Sequence, residues 1–218
     1  MIRPLEPRVR RRGNRVDMAG DWTIRNKEPV DNIAAARLIV EAFKGKYLAL
    51  TDGKWDKAVI IAEAEMEFRG SMDNFFVAGR ENGVIGAIEI ISSEIPGILS
   101  GDLLSIYFKH LGFGKGLRAT YLLSLLSRNI DEHEACVSSL AVADEARGAG
   151  VARALLSRGE EFAREIGKRK VSLWVTEANT SAVHLYESSG YVTTQTSESA
   201  RLKKFFDLET WRQMAKII

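Results

Sequence analysis

Apolar positions recur along the chain at two periods, and the switches between them divide it into elements. Residues 22–25 read as a short strand. After Asp31, a cap residue, Ile33, Ala36, Val40 and Phe43 fall three and four apart, the rhythm of an amphipathic helix that Gly45 would stop. Trp55, Val59, Ala62 and Met66 mark a second helix over 55–68, closed by Gly70. Two β-rich runs, 74–78 and 84–91, flank Glu81, Asn82 and Gly83, and an Asn-Gly pair between such runs signals a hairpin. Residues 92–133 hold two apolar stretches, at 103–111 and 121–126, which predict two amphipathic helices joined by a turn over 112–116. The last third is more regular. It predicts a strand over 135–142, a loop over 144–150, a helix over 151–166 stopped by Gly167, and a strand over 170–175. A helix over 179–189 then ends at Gly190, where a left-handed cap favours glycine. Strands at 191–194 and 201–206 follow. Leu208, Trp211, Met214, Ala215 and Ile218 predict a short C-terminal amphipathic helix. The order predicts a mixed α/β layered fold with a helical insert at about 92–133.

Composition narrows the class. With 45% hydrophobic and 28% charged residues, the 218-residue chain is neither a disordered nor a fibrous sequence. Charged residues interrupt every apolar stretch, so no transmembrane segment is expected. The single cysteine, Cys136, excludes an internal disulfide and any metal site built from several cysteines, and no two of the three histidines have ligand spacing. No metal is expected, and a reducing, cytoplasmic setting is the default. The net charge of +2 is uneven. Residues 1–17 carry six arginines against Glu6 and Asp17, or +4, which leaves −2 for the rest. Residues 1–20 therefore read as a flexible basic tail before one domain at 21–218. Nucleic acid is a weak expectation, resting on that tail alone.

One segment carries chemistry. Between Val142 and Ala152 a strand ends, a glycine-containing loop turns and a helix begins. The first turn of that helix has unpaired N–H groups and the positive end of the helix dipole. Gly148 and Gly150 let backbone approach a bulky anion, and Arg147 adds a cationic fork, which together make a pyrophosphate cradle. It is not a Rossmann fingerprint, because Arg153 stands where the third glycine or alanine belongs. No Gly-Lys-Ser/Thr exists for a nucleotide-triphosphate loop.

The run Arg147-x-x-Gly150-x-Ala152 resembles the Arg/Gln-x-x-Gly-x-Gly/Ala signature of the GNAT superfamily of N-acetyltransferases. Downstream, Asn179, Ala182, Tyr186, Gly190 and Tyr191 stand at the spacing of that family's second motif. The close resemblance covers about residues 135–194. It implies a mostly antiparallel central sheet flanked by helices, with the insert preceding the cofactor-binding strand, and acetyl-CoA as acetyl donor. Carried over, the backbone of Leu140, Ala141 and Val142 would face the pantetheine arm in a gap between two splayed strands. The N–H groups of Arg147, Gly148, Ala149, Gly150, Val151 and Ala152 would hold the pyrophosphate. Asn179 would bond the arm, and Tyr186 would lie near the sulfur as proton donor to the leaving thiolate.

The resemblance implies an acyltransferase that acetylates a primary amine by direct attack in a ternary complex. The alternative is a non-catalytic acyl-CoA sensor or interaction module on the same fold. The amine must lose a proton before attack, because amines are mostly charged at pH 7. Where the family often places a glutamate, this chain has Cys136, so the base falls to Glu134, two residues earlier, or to Glu89 on the preceding strand. The insert lies where the acceptor site should open. It is read as a wall or lid, with a homodimer interface or a surface-adhering patch as the other uses.

Overall fold

The computed structural model describes residues 16–17, 21–68, 73–81, 83–95, 101–207 and 209–218. Eight strands form one sheet: β1 (Val16–Asp17), β2 (Thr23–Asn26), β3 (Phe75–Arg80), β4 (Gly83–Ser92), β5 (Glu134–Val142), β6 (Lys170–Thr176), β7 (Val192–Glu198) and β8 (Thr210–Ile217). Their spatial order is β1-β2-β3-β4-β5-β6-β8-β7. Every ladder is antiparallel except β5–β6, as the mostly antiparallel expectation required. The helices are α1 (Asn32–Ala42), α2 (Lys44–Leu50), α3 (Trp55–Phe68), α4 (Gly101–Leu111), α5 (Phe113–Leu126), α6 (Val151–Glu165), α7 (Thr180–Ser188) and α8 (Ala200–Phe206). Among the described residues no helix is long and apolar enough to cross a membrane.

The sheet buries both faces. On one face Ile88, Ile90, Val137, Val171 and Leu173 pack against Leu155, Phe162 and Ala163 of α6 and Val183 and Tyr186 of α7. Two glycines set that distance. A Cβ on Gly86 of β4 would stand 2.9 Å from both Leu155 Cδ1 and Val151 Cγ1, and one on Gly159 of α6 would stand 2.7 Å from Ile90 Cδ1. The opposite face carries α1 and α3 over Val77, Ala87 and Ala141. A third core lies beyond the second. Leu50 of α2, Ile61 of α3, Leu103 and Tyr107 of α4, Leu122 and Leu123 of α5, and Leu202 and Phe206 of α8 close on one another there. At its edge the buried Glu65 carboxylate accepts hydrogen bonds from Tyr47 (3.0 Å) and Tyr107.

Four expectations need correction. Residues 201–206 are helix α8, not a strand: Ser199 Oγ caps it by accepting from the Leu202 N–H (3.3 Å), and Leu202 and Phe206, four apart, bury together. The expected C-terminal helix is β8, whose alternation, not a helical stripe, fits the open edge of β6 from Lys170↔Ile217 to Thr176↔Trp211. Gly45 does not end the helical region. It lies in α2, where a Cβ would be 3.3 Å from the Phe206 carbonyl oxygen, so the glycine admits α8. Only Gly112 (φ +77°) makes the expected turn; Gly114 and Gly116 are inside α5, and the Phe108 ring lies where a Gly116 Cβ would be. At the N-terminus Val16 and Asp17, expected in the tail, pair with Ile24 and Thr23 and extend the sheet. The rest of the tail, the closing Gly70, the turn residue Asn82 and Leu208 lie outside the described residues.

Candidate active site

The two parallel strands do not stay together. β5 and β6 pair from Glu134↔Lys170 to Val137↔Leu173 and then part, while β6 continues against β8 as far as Thr176. The break coincides with an irregularity in the β4–β5 ladder: Glu89 faces Ser139 and Ile90 faces Val137, so Ser138 is an extra residue on β5. A bulge of this kind bends the strand and increases its twist. The result is an open slot beside residues 138–142. The Ala143 N–H donates to the Ile85 carbonyl (2.9 Å), so in an alternating ladder the polar groups of Ala141 also face β4. The N–H and C=O of Leu140 and Val142 therefore face the slot. Of the three residues expected to line it by backbone, Leu140 and Val142 do so and Ala141 does not.

At the head of the slot the chain turns through a short 3-10 helix, Asp144–Ala146, into α6. Gly148 and Gly150 both have φ +79°, a conformation that favours glycine, and no side chain caps α6. The N–H groups of Gly148, Gly150, Val151, Ala152 and Arg153 have no acceptor among the described residues. Those of Arg147 and Ala149 are spent within the turn, on the carbonyls of Asp144 (3.2 Å) and Ala146 (3.4 Å). So the cradle expected over residues 147–152 has four of its six amides free, and Arg153 adds one the sequence reading left out. The Arg147 guanidinium is exposed and paired with Asp144 (2.7 Å), which neutralises the acid nearest the cradle. Free amides, a helix dipole and an unpaired strand edge in line form a chemically suitable site for a pyrophosphate joined to an amide-bearing arm.

Asn179 caps α7, its Oδ1 accepting from the Ala182 N–H (3.2 Å), and its side-chain amide N–H groups have no acceptor among the described residues. Tyr186, on the buried side of α7, packs its ring at a tilt of 58° against Tyr191, with centroids 5.9 Å apart, and its hydroxyl has no hydrogen bond among the described residues. Burial, with the Cys136 thiol nearby, pushes this phenol up to about 12. Burial also pushes the Cys136 thiol up to about 12, with the Glu134 and Glu89 carboxylates adding to it.

The two candidate bases part company. Glu134 opens β5 at its paired end, ahead of the slot, and its carboxylate is held by Lys170 (2.6 Å). Glu89 is buried on β4 opposite Ser139, beside the bulge. Glu89 thus stands level with the start of the slot, one strand over, and Glu134 at the paired end away from it. Two further features, the seating of α8 and an arginine–tryptophan contact, have no counterpart in the sequence analysis. α8 meets α2 over the open end of the sheet. Trp174, the first β6 residue past the break, lies under the guanidinium of Arg128 (5.1 Å to the ring centroid).

Comparison with known proteins agrees with this geometry. Residues 40–191 match the model of the acetyltransferase (GNAT) family. An uncharacterized N-acetyltransferase, YdgE, of Bacillus subtilis is 32% identical over 93 residues, 43% of this chain and 59% of that protein. A mycothiol acetyltransferase of Geodermatophilus obscurus is 46% identical over 52 residues, 24% of this chain and 17% of that protein. The matched stretches thus span less than two thirds of either relative. A crystal structure of an N-acetyltransferase from Staphylococcus aureus superposes with a TM-score of 0.67 at 19% identity, over 88% of this chain and 99% of that one. A ribosomal-protein-alanine N-acetyltransferase from Brucella melitensis does so at 0.59 and 20% identity, over 89% and 99%. These two likenesses concern the fold. With the family model spanning both the slot and the cradle, the chain belongs to the GNAT acetyltransferase family, whose acetyl donor is acetyl-CoA.

Proposed function

We propose that the protein acetylates a primary amine directly, donor and acceptor being held together. The observation that supports it most is the coincidence of the β5–β6 break with five free amides at the head of α6. Bound there, acetyl-CoA supplies a thioester-activated acetyl group. The amides of Gly148, Gly150, Val151, Ala152 and Arg153 hold its pyrophosphate, and the backbone of Leu140 and Val142 pairs with the extended arm as a further strand would. The Asn179 side-chain amide fixes the arm from the β6 side. A slot-facing N–H of β5 polarises the carbonyl as it gains negative charge. The Tyr186 hydroxyl, with no partner among the described residues, donates its hydrogen bond to sulfur as thiolate character develops.

Direct attack is favoured over an acetylated enzyme because Cys136, the one thiol of the chain, is kept protonated by burial. The acceptor ammonium loses its proton through Glu89, which lies on the acceptor side of the sheet beside the bulge. Glu134 serves the strand pairing through Lys170 instead.

Calorimetric titration of acetyl-CoA, with the Gly150→Val variant alongside, tests the donor site; thiol release across a panel of amines tests transfer. Micromolar binding that the variant loses, followed by amine-dependent thiol release, is expected. A folded protein that binds no acetyl-CoA refutes the proposal. So does binding that Gly150→Val leaves untouched.

A further inference from the structure

The pairing of Arg128 with Trp174 is not used by the donor site. On β6, Val171, Leu173 and Val175 point into the core under α6, so Trp174 between them faces the other side, where α2, α5 and α8 gather. It is half-buried and sits at the break, with no β5 partner. Arg128 follows the end of α5 and lays its guanidinium over that ring. One of its nitrogens, Nη1, donates to the carbonyls of Leu125 (3.0 Å) and Ser127 (2.7 Å), which fixes the plane of the group. Its Nε and Nη2 have no acceptor, and it has no carboxylate partner, among the described residues.

This is an unusual way to hold an arginine. Arg118, Arg147, Arg158 and Arg212 each sit within ion-pair distance of an acid. Arg128, an exposed residue, is instead anchored by backbone carbonyls and an aromatic face, which partly desolvate the guanidinium and lower its pKa. Such a group is oriented in advance, with one edge of its donor fork open. That edge matches an oxyanion, carboxylate or phosphate, in a two-point contact. Beyond β5, on the side of the slot away from β6, β4 carries Glu89 opposite Ser139. Negative charge on one side and positive charge on the other suit a ligand that is an ammonium at one end and an oxyanion at the other.

We propose that Arg128, stacked on Trp174, is the oxyanion-binding residue of the acceptor site, and that the acceptor is a small primary amine bearing a carboxylate or phosphate group. This rests on the acetyltransferase reading above and adds the substrate class to it. Bound so, the oxyanion accepts from Nε and Nη2 of Arg128 while the amine nitrogen lies toward Glu89 and the slot. The ammonium gives one proton to Glu89 before attack; the attack forms one N–C bond and breaks the C–S bond, the second nitrogen proton passes to the departing thiolate so that coenzyme A leaves as the thiol, and Arg128 takes no part in proton transfer.

The test is a matched series of ω-amino carboxylates of graded length, their carboxamides, and the corresponding aminoalkylphosphonates. Each is titrated calorimetrically into the protein saturated with coenzyme A, as wild type, Arg128→Gln and Arg128→Lys. Acetyl-CoA is titrated separately, and thermal melting verifies folding. Oxyanion compounds are expected to bind at least about tenfold more tightly than their carboxamides. Arg128→Gln should erase that ratio, Arg128→Lys should keep part of it, and neither should change acetyl-CoA affinity. The better of carboxylate and phosphonate identifies which oxyanion the site takes. Equal binding of carboxamides and oxyanions to wild type overturns the proposal, as does an equal loss of both in Arg128→Gln. Failure of the acetyltransferase reading is seen separately, as absent acetyl-CoA binding. The oxyanion series on the free protein then still decides Arg128: a retained, Arg128-dependent preference supports the site, and no preference overturns it.

Discussion

Replacing Tyr186 by phenylalanine separates its chemical role from a packing role. The phenol is pushed up to about 12, whereas a thiol sits near 8.5. Moving its proton fully to a leaving thiolate would be uphill by roughly 5 kcal/mol. In the proposed mechanism Tyr186 would therefore act by donating a hydrogen bond to the thiolate rather than by protonating it. A hydrogen bond to a charged group contributes about 1.5–3 kcal/mol, which sets the expected fall in turnover at roughly 10- to 150-fold. The hydroxyl has no partner among the described residues, so its removal leaves no orphan behind. Stability at pH 7 should be unchanged or rise by about 1 kcal/mol. The folded-state pKa is raised above the unfolded value of 10, so the native state keeps its proton longer. That stability is present below pH 10 and is lost as the pH rises to about 12, and Tyr186→Phe should flatten this alkaline limb. The assays are thiol release at saturating acetyl-CoA, calorimetric donor affinity, and urea unfolding at neutral and alkaline pH. Transfer at the wild-type rate would refute the reasoning. So would a loss of stability at neutral pH, because the hydroxyl would then have had a partner.

Three further outcomes follow from the same structure. Gly150→Ala forces a side chain into φ +79° but meets nothing within 4 Å, so urea unfolding should show only the strain, roughly 1–2 kcal/mol, while calorimetry shows weakened acetyl-CoA binding as the freed amides turn. Gly86→Ala places a Cβ 2.9 Å from Leu155 and Val151 and should cost roughly 1–3 kcal/mol, and since Val151 opens α6, donor affinity should fall with it. Lys168 is buried and reaches Glu94 (2.6 Å), which holds that carboxyl down at about 2; the contribution exists above the unfolded value of 4.5 and disappears as pH falls toward 2, so Glu94→Gln should flatten the acid limb of a urea-stability profile.

The legible part of the molecule was the part specified locally. Strand, loop and helix over residues 134–165 can be read from period and glycine placement because each signal lies within a few residues of the feature it creates: Gly150 makes its own left-handed cap, and the free amides follow from the absence of a capping side chain. The C-terminal fifth was misread because its local signals do not decide. Leu202 and Phe206 at four-residue spacing suit α8, but the aromatic pair Phe205 and Phe206 beside Leu202 is also of residue types that strands favour. Trp211, Met214 and Ala215 suit a helix as well as β8. What decides is the open edge of β6, seven residues that all find partners on β8, a strand far away in sequence. The candidate base shows the same limit. Glu134 and Glu89 are equivalent by residue type, and only the ladder break and the Lys170 ion pair tell them apart.

The insert can now be placed by its energetics. A lid must leave its seat at modest cost, and α4 and α5 are poorly suited to that. Tyr107 is fully buried and, with Tyr47, satisfies the buried carboxylate of Glu65 on α3; Lys115 and Arg118 of α5 both hold Asp52 beyond α2, and Arg118 also donates to the Ala49 carbonyl (2.8 Å). Swinging the insert out would expose Leu103, Leu122 and Leu123 and strip one donor from a buried carboxylate, which costs several kcal/mol at once. The same core seats α8, whose Phe206 carbonyl lies against Gly45 of α2, so a helix from the N-terminal part of the chain is tied to one from the C-terminal part. In the proposed acceptor site, the ligand would therefore meet a fixed wall whose shape is set before binding. A fixed wall can hold an arginine over a tryptophan in one orientation, and this connects the third core to the choice of acceptor.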